Sequence, residues 1–391
     1  MPFRQRLDPT FYARVQDMVR TRLEGAGLAS IVVDHPDDVA YLSGFFHHPC
    51  ERPVMVHLGV DSPAVLLVPQ LEQEHAQWQE SAAEVVTYPE YPGVVEPLSV
   101  LARAAPPGGR MGFGDSMSVA RLRLLERFCP QVELVTSDAV TATRLVKQPE
   151  EMALHQEAGR ITDLMLTAGI ALVEEALKSG SEMPSESALA AHVGRVGTSL
   201  MYEEHADVVV LGFLAGGLVY AGPNSARPHG LPSSYRLRPG DTFMLSLGCA
   251  VGGRFVEGER TFILGEPSVE QIRYYEAVRA AQQMGIESLR PGMTCAQSNA
   301  VCLNVIRDAG LGQYLQHRQG HGIGVGMHEP PWLEDGDDTV LREGFVVSNE
   351  PGIYIPGHAG YRVSDSMRIT ADGAVCLTSY PRSLDDIVIA A

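Results

Sequence analysis

The stretch from Gln319 to Tyr354 constrains this chain more than any other. It begins Gln-Gly-His321-Gly-Ile-Gly-Val-Gly-Met-His328-Glu-Pro-Pro and, after a short spacer, continues Ser-Asn-Glu350-Pro-Gly-Ile-Tyr354. Glycines let backbone approach closely around His321, and prolines fix the chain beside His328 and Glu350. Two imidazoles and a carboxylate held in this way can bind a metal ion or move protons. The residues alone leave that choice open.

The rest of the chain must frame this segment. At 391 residues it is too long for one ordinary core, so two domains are expected. The formal charge of −18 repels nucleic acid and anionic membranes, which excludes both as partners. No run of about 18 apolar residues occurs, so no membrane span is expected. The N-terminal Met-Pro-Phe-Arg-Gln-Arg-Leu-Asp lacks an apolar signal core, which argues against secretion. The six cysteines are scattered without a Cys-x-x-Cys pair and read as reduced core thiols of a cytoplasmic protein. Only Lys147 and Lys178 are lysines, so arginine carries the remaining positive charge.

In chain order, Pro9 to Gly27 has the apolar spacing of a helix, and Ala29 to Asp34 that of a buried strand. Strands follow at 54–58, 64–68 and 84–88, a helix at 71–80, a turn at 108–114, a helix at 118–128 and a strand at 132–135. Alternation of this kind predicts an α/β domain with a mixed sheet over 1–140. Residues 141–150 read as a hinge. A long helix over 150–178 then opens a second region, 151–391, with a further helix after Gly180. Strands are expected at 208–211, 242–247, 260–264, 344–349 and 361–370, and helices near 268–289 and 294–310. Helices packed on one antiparallel sheet make this part α+β.

Five segments of the second region carry candidate chemistry: Ser225-Ala-Arg-Pro-His229-Gly; Asp241 to Gly248 with Ser246; Gly252 to Phe262 with Glu257, Glu259 and Arg260; the His321, His328 and Glu350 stretch; and Gly360-Tyr-Arg362-Val363-Ser364-Asp365. Their order and spacing resemble the pita-bread family of methionine aminopeptidase, aminopeptidase P, prolidase and creatinase, closest to the Xaa-Pro peptidase branch. The resemblance implies a C-terminal pita-bread domain behind a smaller creatinase-type N-terminal α/β domain. It also implies a homodimer and a dipeptide-like or other small-molecule substrate.

Family peptidases hold two metal ions with an Asp, Asp, His, Glu, Glu set. Carried over, that set meets Ser246, Glu257, His321, Glu350 and Ser364. A dinuclear site needs bridging carboxylates to offset its charge, and serine hydroxyls are weak neutral ligands. A metal-free site is the reading favoured here. The remaining option is one divalent ion (Mn, Zn or Co) on Glu257, His321 and Glu350. Creatinase is a relative that works without metal. The resemblance to it lies in Leu245-Ser246-Leu247, in Glu259-Arg260-Thr261, in His229, which matches its general acid/base, and in Arg52. Arg52 falls where creatinase supplies a carboxylate-binding arginine across a dimer interface. Val363 stands where creatinase has a further glutamate, which disfavours creatine itself.

The expected site therefore comprises His229, Glu259, His321, His328 and Glu350 as catalytic groups, with Arg52 and Arg362 binding substrate. Against this stand blander roles: a loop-capping His229, packed relic histidines, and an Arg52 paired with Glu51. An unpaired buried Glu350 would be costly, so it should pair with His321 or Arg362 or hold a proton. Glu257 and Glu259, two apart on a strand, share a face and should raise one another's pKa. His47, His48 and His57 read as loop or surface residues. Three functions follow: a C–N hydrolase without a dinuclear metal, an Xaa-Pro dipeptidase on one ion, or a non-catalytic binding module.

Overall fold

A computed structural model describes residues 2–390, which divide into two units. One comprises Arg4–Arg144 with Val209–Gly212. The other comprises Leu145–Val208 and the chain from Phe213 onward, with the first few residues.

The first unit is α/β. Its strands are β1 (Ser30–Val33), β2 (Met55–Gly59), β3 (Val65–Pro69), β4 (Glu84–Tyr88), β5 (Arg110–Phe113) and β6 (Glu133–Thr136). They form a six-stranded sheet in the order β4-β3-β2-β1-β5-β6. The pairs β1–β2 and β2–β3 are antiparallel, while β1–β5, β3–β4 and β5–β6 are parallel, so the expected mixed sheet is present. Helix α1 (Pro9–Gly25) starts where the Asp8 carboxylate accepts the Thr10 N–H, with proline in its first turn. Its apolar stripe of Phe11, Val15, Val19 and Leu23 is buried. Two short helices, α2 (Pro36–Ser43) and a later one at Pro97–Ala104, were not expected; each is too brief to show helical periodicity. His57 corrects another expectation. It lies in β2, a strand whose five residues are all buried, and is only 4% exposed. His47 is buried as well. All six cysteines are free; four are buried, whereas Cys50 and Cys376 are exposed and so are not core thiols.

The second unit is α+β. Its long first helix (Pro149–Ser179) begins with a reciprocal capping box between Gln148 and Glu151 and ends at Gly180 in the left-handed conformation. A second helix spans Glu186–Glu204. The strands that matter for the site are β7 (Ala215–Ala221), β8 (Thr242–Val251), β9 (Arg254–Leu264), β10 (Gly320–Gly322), β11 (Glu329–Leu333), β12 (Val346–Asn349), β13 (Gly352–Ile355), β14 (Ala359–Arg362), β15 (Ser364–Thr370), β16 (Gly373–Cys376) and β17 (Val388–Ile389). Nine of them form one sheet: β11-β10-β12-β15-β9-β8-β7, with β16 on β15 and β17 on β9. Strands β8 and β9 are joined through Gly252 and Gly253, both at positive φ (57° and 75°), the geometry of a tight hairpin turn. Every residue of β9 is buried.

The strand expected at 208–211 does not form. Val209 donates its backbone N–H to the Gln5 side chain instead of to a ladder. The strand that does form, β7, contains Gly216 and Gly217, which read as breakers in a sequence. A Cβ at Gly217 would collide with the backbone carbonyl oxygen of Ser246, so glycine is what lets β7 lie against β8.

Candidate active site

The cross-strand registers build the site. Ser246 on β8 lies opposite Glu259 on β9, and Glu259 lies opposite Ser364 on β15. Residues directly opposite share a face, so the two serines flank Glu259 in one row. Glu257, two residues back, faces the same way, opposite Gly248.

Glu259 is held from several directions. The Ser246 hydroxyl donates to it, and Arg362 Nη2 donates at 2.7 Å, while Nε lies against the other carboxylate oxygen as an ion pair without a hydrogen bond. Arg362 Nη2 also reaches Ser246 Oγ at 3.0 Å, and Nη1 donates to the Tyr354 hydroxyl at 3.2 Å. Tyr354 in turn lies 2.8 Å from His317 Nε2, while His317 Nδ1 lies 2.8 Å from the Arg318 carbonyl oxygen. Only one set of proton positions satisfies this chain. The tyrosine hydroxyl donates to Nε2, and Nδ1 carries the proton given to the carbonyl.

His321 forms the second cluster. Its Nδ1 donates to its neighbour, the Gly322 carbonyl, at 3.0 Å. Its Nε2 lies 3.3 Å from Glu350 Oε1 and 3.8 Å from Glu257 Oε1, an ion pair without a straight hydrogen bond. Glu350 thus takes the first of its expected partners. The Ser364 hydroxyl donates to Glu257 at 3.3 Å. Burial would lower the His321 pKa, but the Glu257 and Glu350 carboxylates outweigh it and hold it up at about 9. Burial, then the nearby Glu350 charge, pushes Glu257 up to about 8. Burial acts on Glu350 too, yet the His321 ion pair holds its carboxyl well below the usual range. The ring of His328 stacks on that of His321, centroids 3.8 Å apart at 28°. Burial and the neighbouring imidazolium push His328 down to about 4, so it is neutral.

These groups line a cleft of about 920 Å³. Of the expected residues, His229, Glu257, Glu259, His321, His328, Glu350 and Arg362 all border it. Phe213, Leu218, Tyr220, Phe255 and Met327 supply apolar wall. Arg52 belongs to the other unit, where it pairs with Glu51 at 2.9 Å and Glu90 at 2.8 Å. Asp365 points away from the cleft chemistry. It is buried against Arg260, Gln282 and Thr378. Sequence reasoning missed His317, Arg318 and Tyr354. The signal for them was their place within or just before the Gln319–Tyr354 stretch.

The donor set treats two metal ions and one differently. At the dinuclear positions it does not fit: Ser246 and Ser364 are neutral, both are engaged with glutamates, and a guanidinium sits 3.0 Å from Ser246. A single ion is better served. Ligand atoms of Glu257, His321 and His328 lie within 4.8 Å of one another. His328 thus completes this group, and Glu350 Oε1 lies beside it, 3.3 Å from His321 Nε2.

Comparison with known proteins places this architecture. Residues 153–371 match the family model of metallopeptidase family M24, and residues 16–146 match the creatinase/prolidase N-terminal domain. The chain belongs to the M24 metallopeptidases and, within them, to the Xaa-Pro dipeptidase family. It is 32% identical to a probable dipeptidase PepE of Mycobacterium tuberculosis, over 97% of this chain and 98% of that one. It is 31% identical to an Xaa-Pro dipeptidase of Lactobacillus delbrueckii subsp. lactis, over 91% of this chain and 94% of that one. The crystal structure of dipeptidase PepE from Mycobacterium ulcerans superposes with a TM-score of 0.84 at 29% identity, covering 99% of this chain and all of that one. The expected pita-bread fold with its creatinase-type N-terminal domain is therefore the fold observed.

Proposed function

We propose that this chain has given up the dinuclear metal centre and hydrolyses a C–N bond of a small, dipeptide-like substrate without it. The observation that carries this is the row Ser246–Glu259–Ser364 closed by Arg362. Where a second ion would need carboxylates, the chain has two hydroxyls, and the local positive charge is a guanidinium already neutralised by Glu259. A guanidinium keeps its proton at any working pH, so this charge is permanent.

In this reading each group has a task. Glu259 and Arg362 form the fixed wall. Water adds to the carbonyl carbon, giving its proton to a cleft carboxylate, Glu257 or Glu350. The oxyanion that develops meets the His328 ring, with the His321 imidazolium stacked behind it. The C–N bond then breaks as His229, exposed on the cleft rim, takes that proton from the carboxylic acid and passes it to the leaving nitrogen, which restores the carboxylate. A second reading rests on the cluster of Glu257, His321 and His328, whose ligand atoms lie close enough together to hold one ion. That ion would polarise the carbonyl while the same side chains position the substrate.

Elemental analysis of protein purified without chelator, paired with hydrolysis of Xaa-Pro dipeptides, separates the readings. Turnover by metal-free protein, unchanged by added Mn, Zn or Co, is the expected result. Turnover that appears only with metal refutes the metal-free reading in favour of the single-ion one. No turnover in either state points to a binding module on the same fold.

A further inference from the structure

His229 is placed by its backbone. Its ring stands exposed on the cleft rim and makes no side-chain hydrogen bond among the described residues. Where the imidazole stands is therefore set by the loop that carries it, residues 222–232 between β7 and β8. That loop opens with a turn at Gly222–Ala226 and turns again where the Gly230 N–H donates to the Arg227 carbonyl oxygen at 3.0 Å. The hydroxyl of Tyr220, a residue of the cleft wall, donates to the Pro228 carbonyl oxygen, one residue before the histidine.

The two ends of this loop meet at one buried carboxylate. Glu186 is the first residue of the helix Glu186–Glu204, is 1% exposed, and is not among the residues that line the cleft. Its Oε1 accepts the Ala221 N–H at 2.7 Å and the Asn224 side-chain amide at 3.1 Å. Its Oε2 accepts the Ser233 N–H at 2.8 Å and the Ser233 hydroxyl at 2.6 Å. Ser233 is anchored a second time, since its carbonyl oxygen accepts the Ser187 N–H at 3.0 Å. Donors face both oxygens of Glu186, so only a side chain that accepts at both positions can close the loop. A glutamine cannot: whichever way its amide is turned, an NH2 group meets a backbone N–H.

We infer that Glu186 is a positioning residue for His229: by tying Ala221 to Ser233 it fixes the span of the loop, and so the place from which the imidazole reaches the leaving nitrogen. This inference rests on the reading above that His229 carries the proton to that nitrogen. Glu186 itself touches no substrate. Its effect is confined to the step that needs His229, so it acts on turnover and leaves ground-state binding alone. A clip that served the fold alone would weaken the protein equally with or without His229.

The test is a double-variant cycle on alanylproline hydrolysis by the full-length protein, read together with amide exchange. Glu186→Gln should lower kcat about 10- to 100-fold while KM stays within about twofold. Ser233→Ala, which removes one bond from the clip, should act in the same direction more weakly. Combined with His229→Ala, Glu186→Gln should remove nothing further, because the group it positions is gone. In Glu186→Gln the amides of Arg227, Gly230 and Ser233 should exchange at least about tenfold faster, with those of β8 and β9 unchanged. If Glu186→Gln does not fold, the same cycle on Ser233→Ala decides. Losses that multiply in the double variant, a change in KM in place of kcat, or unchanged exchange in the loop would each overturn the assignment and leave the proposed function standing. Wild-type protein without turnover removes the proposed function and this assignment with it.

Discussion

Ser246 and Glu259 face each other across neighbouring antiparallel strands, and the serine hydroxyl donates to the glutamate. The glutamate in turn pairs with the buried Arg362.

The two partners of that buried pair should not be equivalent. Removing the arginine (Arg362→Met) leaves Glu259, whose pKa burial already raises, and a carboxylate can take up a proton. Removing the carboxylate (Glu259→Gln) leaves a buried guanidinium that cannot lose its charge. Glu259→Gln is therefore expected to cost about 3–5 kcal/mol and Arg362→Met clearly less. Denaturant unfolding of both variants measures this; equal losses would contradict it.

Restoring the family carboxylates should not by itself restore a metal centre. Ser246→Asp with Ser364→Glu would set three carboxylates in one row, with only Arg362 against them. Adding Glu259→Gln removes the middle one and leaves Arg362 to Asp at 246. The triple variant is expected to bind manganese or zinc at least about tenfold more tightly than the double. Calorimetric titration of each with the metal alone decides it.

The Tyr354 hydroxyl links Arg362 to His317 within a buried site. Tyr354→Phe leaves Arg362 Nη1 and His317 Nε2 without that partner and should cost about 1–3 kcal/mol. Nitrogen chemical shifts of His317 give an independent readout. In the wild type they should report Nδ1–H with an accepting Nε2, and in the variant that single tautomer should be lost.

In the N-terminal unit, His57 has no hydrogen-bond partner for either ring nitrogen among the described residues, and burial pushes its pKa down to about 4. Its unfolded value is about 6.5. The stability contributed by keeping it neutral is complete above about pH 6.5 and is lost as pH falls through 4. The total is about 3 kcal/mol. His57→Leu should flatten the stability profile across that window by a comparable amount, seen in urea unfolding at a series of pH values.

The sequence carried the class of both units because their periodicities are plain: the stripe of α1 and the long first helix of the second unit. It carried the cleft residues because glycine- and proline-marked blocks are hard to disguise. Other features depend on register and could not be read. Nothing local says that Ser246 and Ser364 flank the same glutamate, or that Glu259 pairs with Arg362. The strand at β7 was hidden because its glycines answer to a neighbour on β8 that is distant in sequence.

Gly217 carries that last point into heredity. Every glycine codon shares its first two bases, and any single change at either one installs a side chain or a stop. Each such side chain begins with the Cβ that would strike the carbonyl oxygen of Ser246. At this codon only the third base is free to drift, so related genes should record synonymous change there and nothing else.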